Sequence, residues 1–210
     1  MSNSSPFDMA RALEADALNQ LNGYVAEHEM TVLHDDGLYR HLRFRSPHTG
    51  IGWFELITWP GAITINGDLG TFAFRRQEDM LAFFRHPLGY VNAGYWAEKC
   101  VARGEDLQGF SADMLQKTIT AEIEEEYADD PAKRERILAA LDDEVFGVED
   151  RDTAFEALGD FTGHEFTDLI GYDFDAYSHR FLLCLHAIVW GIHQYDEAKA
   201  TADPAAAPAS

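Results

Sequence analysis

The sequence predicts an α+β protein in which a small antiparallel β-meander is covered by a C-terminal helical layer. Three observations lead to this fold class. Residues 29–75 alternate apolar and polar side chains between short turns that contain glycine or proline. Residues 77–199 carry apolar side chains at helical spacing. The run FLLCLHAIVWGI at 181–192 is apolar on nearly all sides, so we expect the last helix to lie at the centre of the fold.

A helix is expected first, over residues 7–27, with a break at Asn22-Gly23. The meander follows, and Asp36-Gly37 predicts a tight hairpin turn within it. Because every connection is short, neighbouring strands should pair in the antiparallel sense. The five strands are expected at 29–34, 38–45, 51–58, 62–66 and 71–75.

Helices fill the rest of the chain. Ser111 and Asp130 are expected to cap two of them, because each can accept a hydrogen bond from a backbone amide of the first turn. The expected helices cover 77–86, 92–104, 112–127, 131–146, 151–161 and 176–199. We expect a single domain over 7–199, with disordered tails at 1–6 and 200–210.

Alternation divides the meander into two faces. The apolar face, which the last helix should cover, contains Leu42, Phe44, Phe54, Phe72 and Phe74. The opposite face is basic and contains Tyr39, His41, Arg43, Arg45 and Arg75. This basic face could bind a phosphate, a nucleotide or a short single strand, with Tyr39 stacking on a base. The alternative is that its arginines pair with the acidic helices of the protein itself.

The charge of the chain is strongly negative, with 16 basic and 37 acidic residues and a net charge of −21. Such a surface disfavours direct binding of duplex DNA, whose phosphates attract basic proteins, and it favours a basic partner. The candidate partner-binding residues, in the helices between about 111 and 146, are Glu122, Glu124, Glu125, Glu126, Asp129, Asp130, Asp142, Asp143 and Glu144. The alternative interpretation is a solvated acidic surface that has no partner.

The sequence lacks the common signatures of catalysis. It contains no G-x-S-x-G elbow, no P-loop and no dinucleotide-binding fingerprint. Cys100 and Cys184 fall in predicted helices, where free thiols usually pack into the core. We therefore predict no catalytic residue and no cofactor.

Two groups of side chains have the residue types of a metal site. His179, His186 and His193 recur every seven residues on the last helix, about 10 Å apart, which is too far for one ion. The segment GHEFTDLIGYDFDAYSHR at 163–180 mixes carboxylates with imidazoles, a combination that can bind divalent cations. Its aspartates can equally cap the last helix. The sequence therefore predicts no metal site.

Several motifs stand out along the chain, namely HLRFR, WFELITWPG, GDLGTFAF, DMLAFFR and GYWAEKC. Together they resemble a family of proteins encoded by phages and prophages, over most of residues 38–196. The resemblance carries no functional residues, but it implies a phage or prophage gene that acts in the cytoplasm of a bacterial host. Accessory phage genes often encode inhibitors of host defence. The first residues carry no signal-peptide pattern and no apolar run is long enough to cross a membrane, so we also expect no membrane association.

The favoured hypothesis is an acidic binding protein that inhibits a host defence complex by occupying its basic, nucleic-acid-binding surface. One alternative is an enzyme that handles a nucleotide or another phosphate-bearing ligand on the arginine-rich face of the sheet. A further alternative is a structural or assembly protein without a ligand. The sequence gives no expectation of the oligomeric state.

Overall fold

A computed structural model describes residues 6–148, 150–167 and 171–202. The helices of this part of the chain are α1 (Pro6–Val25), α2 (Met80–Phe84), α3 (Ala93–Ala97), α4 (Ala112–Glu126), α5 (Pro131–Glu144), α6 (Arg151–Asp160) and α7 (His179–Ala202). Its strands are β1 (Glu29–Asp36), β2 (Tyr39–Arg45), β3 (Phe54–Trp59), β4 (Ala62–Gly67), β5 (Phe72–Arg75), β6 (Cys100–Arg103), β7 (Gln108–Phe110) and β8 (Asp175–Tyr177). The predicted α+β class is confirmed.

The larger sheet is an antiparallel meander, as the short connections predicted. Its strand order is β1-β2-β3-β4-β5-β6, so β3 lies in its interior. The hairpin predicted at Asp36-Gly37 is present: Asp36 pairs with Tyr39, and Gly37 has a positive φ of 61°, which glycine adopts without strain.

The sheet extends beyond the predicted 29–75, because the helix predicted over 92–104 is wrong. Only α3 is helical there, and the following residues form β6, which pairs with the edge of β5. The amide of Gly104 continues this contact by donating to the carbonyl of Thr71 at 2.8 Å. The unpaired edge of β5 offers the CVAR segment a full set of backbone partners, and this tertiary interaction outweighs its helical pattern.

The apolar face of the sheet is covered by α7, as predicted. Phe181 packs edge-on against Phe72, with ring centroids 5.3 Å apart, and also contacts Phe74. Further along α7, the Trp190 ring lies 5.5 Å from that of Phe44. Ser178 caps α7 by accepting a hydrogen bond from the amide of Phe181, so the predicted cap at an aspartate before Tyr177 is wrong.

The predicted break in the first helix is also absent, because α1 continues through Gly23 to Val25. Leu21 and Val25 are buried on either side of this glycine. Their burial outweighs the roughly 1 kcal/mol by which glycine disfavours a helix relative to alanine.

The chain forms two compact units, each with its own core. The sheet unit consists of Leu13–Leu107 and the residues from Ser178 onward. The acidic unit consists of Gln108–Tyr177 and the start of α1, up to Ala12. The single domain predicted over 7–199 stays a prediction, since separate cores do not decide whether the two units unfold together.

The acidic unit is an insertion in the sequence of the sheet unit, and its entry and exit strands pair with each other. Within the acidic unit, β7 pairs with β8, and Gln108 is opposite Tyr177. In the sheet unit, the amide of Ser178 donates to the carbonyl of Leu107 at 2.8 Å. In the part of the chain that the structure describes, no helix combines the length and apolar character needed to cross a membrane.

Candidate functional sites

A helical hairpin forms the centre of the acidic unit. It consists of α4, the turn at 127–130, and α5. Both predicted caps are present: Ser111 accepts from the amide of Met114, and Asp130 accepts from the amide of Lys133 at 3.0 Å. The buried stripes of the two helices share one core and contain Leu115, Ile119, Ile123, Ile137 and Leu141. Because the apolar stripes face inward, the charged side chains of both helices lie on the outer surface.

Eight of the nine candidate partner-binding residues are exposed, and Glu122 is half-buried. They form two groups at the two ends of α5. The turn cluster contains Glu124, Glu125, Glu126, Asp129 and Asp130, and the end cluster contains Asp142, Asp143 and Glu144. Apart from Glu126, none of these eight forms an ion pair with another described residue.

The charge of the protein is concentrated in this unit. Gln108–Tyr177 contains 20 acidic and 5 basic residues, a net charge of −15. Both α4 and α5 end in acidic residues, and neither has a basic residue in its last turn. The C-terminal end of a helix carries a partial negative charge, so acidic residues there destabilise the helix. Carboxylates needed only for solubility would be better placed at helix N-termini.

Part of the basic face of the sheet is neutralised by a carboxylate of the same sheet, Glu55. Glu55, which is buried on β3, accepts hydrogen bonds from Arg43 Nε at 2.7 Å and from His41 Nε2 at 2.9 Å. Burial disfavours the charged form of Glu55, but these two hydrogen bonds outweigh it and hold the pKa of the carboxyl below its usual value. Arg43 and His41 therefore have an internal partner, which is a strand residue and not one of the acidic helices.

The five predicted residues of this face do not converge on one point. Tyr39, His41, Arg43 and Arg45 alternate along β2, and Arg75 lies three strands away on β5, about 14 Å distant. Arg43 and Arg45 line a depression of about 300 Å³ together with Gly50 and Trp53. Neither Arg45 nor Arg75 forms an ion pair within the described residues.

A cluster of one histidine and two glutamates is a third candidate site, which the sequence did not predict. His164, in the segment between α6 and β8, lies against the end of α4, where its Nε2 is 3.7 Å from a carboxylate oxygen of Glu122 and 3.7 Å from one of Glu126. The His164 side chain is only 5% exposed. Glu122 and Glu126 share a helix face because they are four residues apart, but nothing in the sequence links them to a histidine 38 positions later.

The remaining residues of the segment weighed as a metal site do not join His164. Asp175 forms an ion pair with Arg151, and Asp173 accepts from the amide of Asp175. His179 belongs to the sheet unit, where it hydrogen-bonds Gln20. Asp168 lies outside the described residues.

The two cysteines are poor nucleophiles. Cys184 is fully buried in α7, and Cys100 lies on β6 instead of in the predicted helix. Burial raises the pKa of both thiols, which keeps them protonated at neutral pH.

Comparison with known proteins finds no matching protein family, no matching curated protein and no matching solved structure.

Proposed function

We propose that this chain is a binding protein whose acidic helical hairpin occupies the basic, nucleic-acid-binding surface of a partner protein or nucleoprotein complex. The resemblance of its motifs to phage-encoded proteins favours a defence complex of the bacterial host as that partner. One observation carries the proposal: exposed carboxylates that form no ion pair with another described residue lie at the C-terminal ends of α4 and α5, where they weaken these helices. They are Glu124, Glu125, Asp142, Asp143 and Glu144. Proteins accept local costs of this kind at some functional surfaces.

The spacing of the charges suits a surface that binds nucleic acid. Asp142 in the end cluster lies twelve positions after Asp130 in the turn cluster, which corresponds to a rise of about 18 Å along α5. Phosphates on one DNA strand advance about 3.4 Å along the helix axis, so the two clusters are about five phosphate steps apart. A basic groove that accepts a DNA strand can therefore meet both clusters, and the net charge raises the rate of encounter.

The experiment is a capture from bacterial lysate followed by competition with DNA. A tagged chain is used to isolate a partner, and the purified partner is then tested for duplex binding with and without the chain. We expect the chain and the duplex to exclude each other, and the association rate to fall as salt increases. A partner that binds both at once would contradict the proposal.

A matched pair of charge variants isolates the surface. The test variant combines Glu124→Gln, Glu125→Gln, Asp142→Asn and Asp143→Asn, which removes four charges and leaves Glu122 and Glu126 in place. The control removes four exposed charges from the sheet unit with Glu27→Gln, Glu29→Gln, Asp36→Asn and Glu78→Gln. We expect only the test variant to lose the partner. Equal loss by both variants would mean that overall charge is responsible, and no particular surface.

A second candidate function is favoured by the depression on the basic face. Among the described residues, Arg45 forms no ion pair, and it lines this depression with Trp53, an arrangement suited to a phosphate-bearing ligand. A thermal-shift screen with nucleotides tests it. Stabilisation that Arg45→Gln abolishes and Arg75→Gln preserves would support the depression as the site, whereas no stabilisation by any nucleotide would reject it.

A further inference from the structure

We propose that Glu122, Glu126 and His164 form a binding site for one divalent transition-metal ion, with Zn²⁺ as the best-matched probe. The site lies wholly within the acidic unit. It shares Glu126 with the turn cluster, but the partner-binding test above changes only Glu124, Glu125, Asp142 and Asp143, so the two proposals can fail separately.

The geometry brings three ligand atoms together. Nε2 of His164, Oε1 of Glu122 and Oε2 of Glu126 lie within 4.8 Å of one another, and the nitrogen is 3.7 Å from each oxygen. In a tetrahedral zinc site the ligand atoms are about 3.4 Å apart, since each is about 2.1 Å from the ion. Small side-chain rotations bring these three atoms to that spacing.

The presence of His164 distinguishes this site from an ordinary cluster of surface carboxylates. Its side chain is 95% buried, and Nε2 is too far from either carboxylate for a hydrogen bond. The ring is fixed by an edge-on contact with Phe166, at a centroid distance of 4.6 Å. Nε2 of this largely buried ring is thus flanked by two carboxylates at a distance longer than a hydrogen bond, an arrangement that a metal ion can bridge.

Two tyrosines make hydrogen bonds that hold the ligand side chains in position. The hydroxyl of Tyr127 lies 3.0 Å from Nδ1 of His164, and the hydroxyl of Tyr172 donates to the second oxygen of Glu122. When Nδ1–H donates to Tyr127, the lone pair of Nε2 is directed at the carboxylates. Metal-binding histidines usually make such a hydrogen bond through the nitrogen that does not bind the ion.

The donor set selects the class of ion. Carboxylate oxygens alone suit Mg²⁺ and Ca²⁺, but an imidazole nitrogen favours Zn²⁺ and its neighbours in the first transition row. Two carboxylates and a neutral histidine leave a Zn²⁺ complex without net charge. Glu126 is 51% exposed, so the fourth coordination position faces solvent and takes a water molecule.

The experiment measures Zn²⁺ binding by the full-length chain after treatment with a chelator. Calorimetric titration should give one ion per chain, and the melting temperature should rise on binding. Co²⁺ should give the visible absorption of a tetrahedral complex, which non-specific attraction to an acidic surface does not produce. Excess Mg²⁺ should not displace Zn²⁺. No binding, or displacement by Mg²⁺, would overturn the proposal.

Four variants assign the ligands. Glu126→Gln and His164→Gln each remove one ligand atom and should weaken binding at least about tenfold, and Tyr127→Phe should weaken it by about tenfold through loss of the supporting hydrogen bond. Glu125→Gln removes the same charge from the same helix and should bind as the original chain does. Circular dichroism checks that each variant is folded. Folded Glu126→Gln and His164→Gln variants that bind Zn²⁺ with unchanged affinity would refute this assignment.

Discussion

At the scale of single residues, Glu55 decides how much of the sheet's basic face stays positive. Its carboxylate holds Arg43 and His41, so Glu55→Gln should lower the free energy of unfolding by about 1–3 kcal/mol at neutral pH. The pKa of Glu55 is lowered by folding, so its contribution is present above the ordinary value of 4.5 and is lost as the pH falls through the lower folded value.

The measurement is urea unfolding at pH 7 and at pH 3. The difference between Glu55→Gln and the original chain should be large at pH 7 and should shrink at pH 3. Arg45→Gln, on the neighbouring strand, serves as the control. This exposed arginine forms no ion pair with another described residue, so its loss should change stability by less than about 0.5 kcal/mol. A pH-independent effect of Glu55→Gln would contradict the ion-pair explanation.

His186 gives a second prediction at the scale of single residues. Here stability should be lost at a higher pH than for Glu55. It is buried in α7 and hydrogen-bonds the carbonyl of Glu14 at 3.1 Å. Burial lowers the pKa of His186, and this hydrogen bond only partly offsets the effect. The unfolded chain therefore binds a proton more readily, so stability should decrease as the pH falls below the ordinary histidine value of about 6.5. Thermal unfolding at pH 7.5 and 5.5 checks this, and His186→Gln should reduce the dependence.

At the scale of elements, the close approach of α7 to the sheet depends on Gly191. A Cβ at this position would lie 2.9 Å from Leu56 and 3.1 Å from the ring of Phe44. Gly191→Ala should therefore destabilise the protein by about 1–3 kcal/mol, although alanine is the better helix former. Gly23→Ala in α1 is the matched control, because nothing lies within 4 Å of its Cβ and it should stabilise by about 0.5–1 kcal/mol. Denaturant titration gives both values, and equal signs would contradict the packing argument.

The acidic helix ends allow a test that needs no partner. Asp142→Asn with Asp143→Asn should raise the free energy of unfolding by about 0.5–1 kcal/mol at low salt, because the two charges oppose the dipole of α5. Added salt should reduce the gain. Asp152→Asn removes the same charge from the first turn of α6, where it is favourable, and should have the opposite sign. If the substitutions in α5 and α6 change the free energy of unfolding in the same direction, the explanation by the helix dipole is contradicted.

At the scale of the whole molecule, the sequence predicts those features of the fold that depend on interactions between residues close together in the chain. Alternation along β2 and β5 and the caps at Ser111 and Asp130 are local, and the predicted faces and helix starts are observed. The strand β6 depends on the free edge of β5, and the pairing of β7 with β8 joins residues about 70 apart. The cluster at His164 likewise needs the folded acidic unit, so no spacing in the sequence shows it.

The pairing at the base of the acidic unit predicts that the insertion can be removed. Because Leu107 and Ser178 are joined by a backbone hydrogen bond, replacing 108–177 with two glycines should leave the sheet unit folded. Circular dichroism should retain the strand signal, whereas partner and Zn²⁺ binding should disappear. A chain that ends at residue 175 is the contrasting control, because it loses α7 and should aggregate. Aggregation of both products would show that the sheet unit needs the insertion.

The order in which α7 and the sheet are synthesised has a consequence for folding on the ribosome. The strands that α7 covers have all been synthesised once the chain reaches Arg75. Phe181, the α7 residue that packs against Phe72, follows about 100 residues later. Because the ribosome adds about 5–20 residues per second, the phenylalanines of the sheet stay uncovered for about 5–20 s before α7 is synthesised. The helical hairpin between them forms from local contacts and is ready sooner. We expect the negative charge of the hairpin to make nascent chains repel one another, and so to slow association through the uncovered apolar face until synthesis ends.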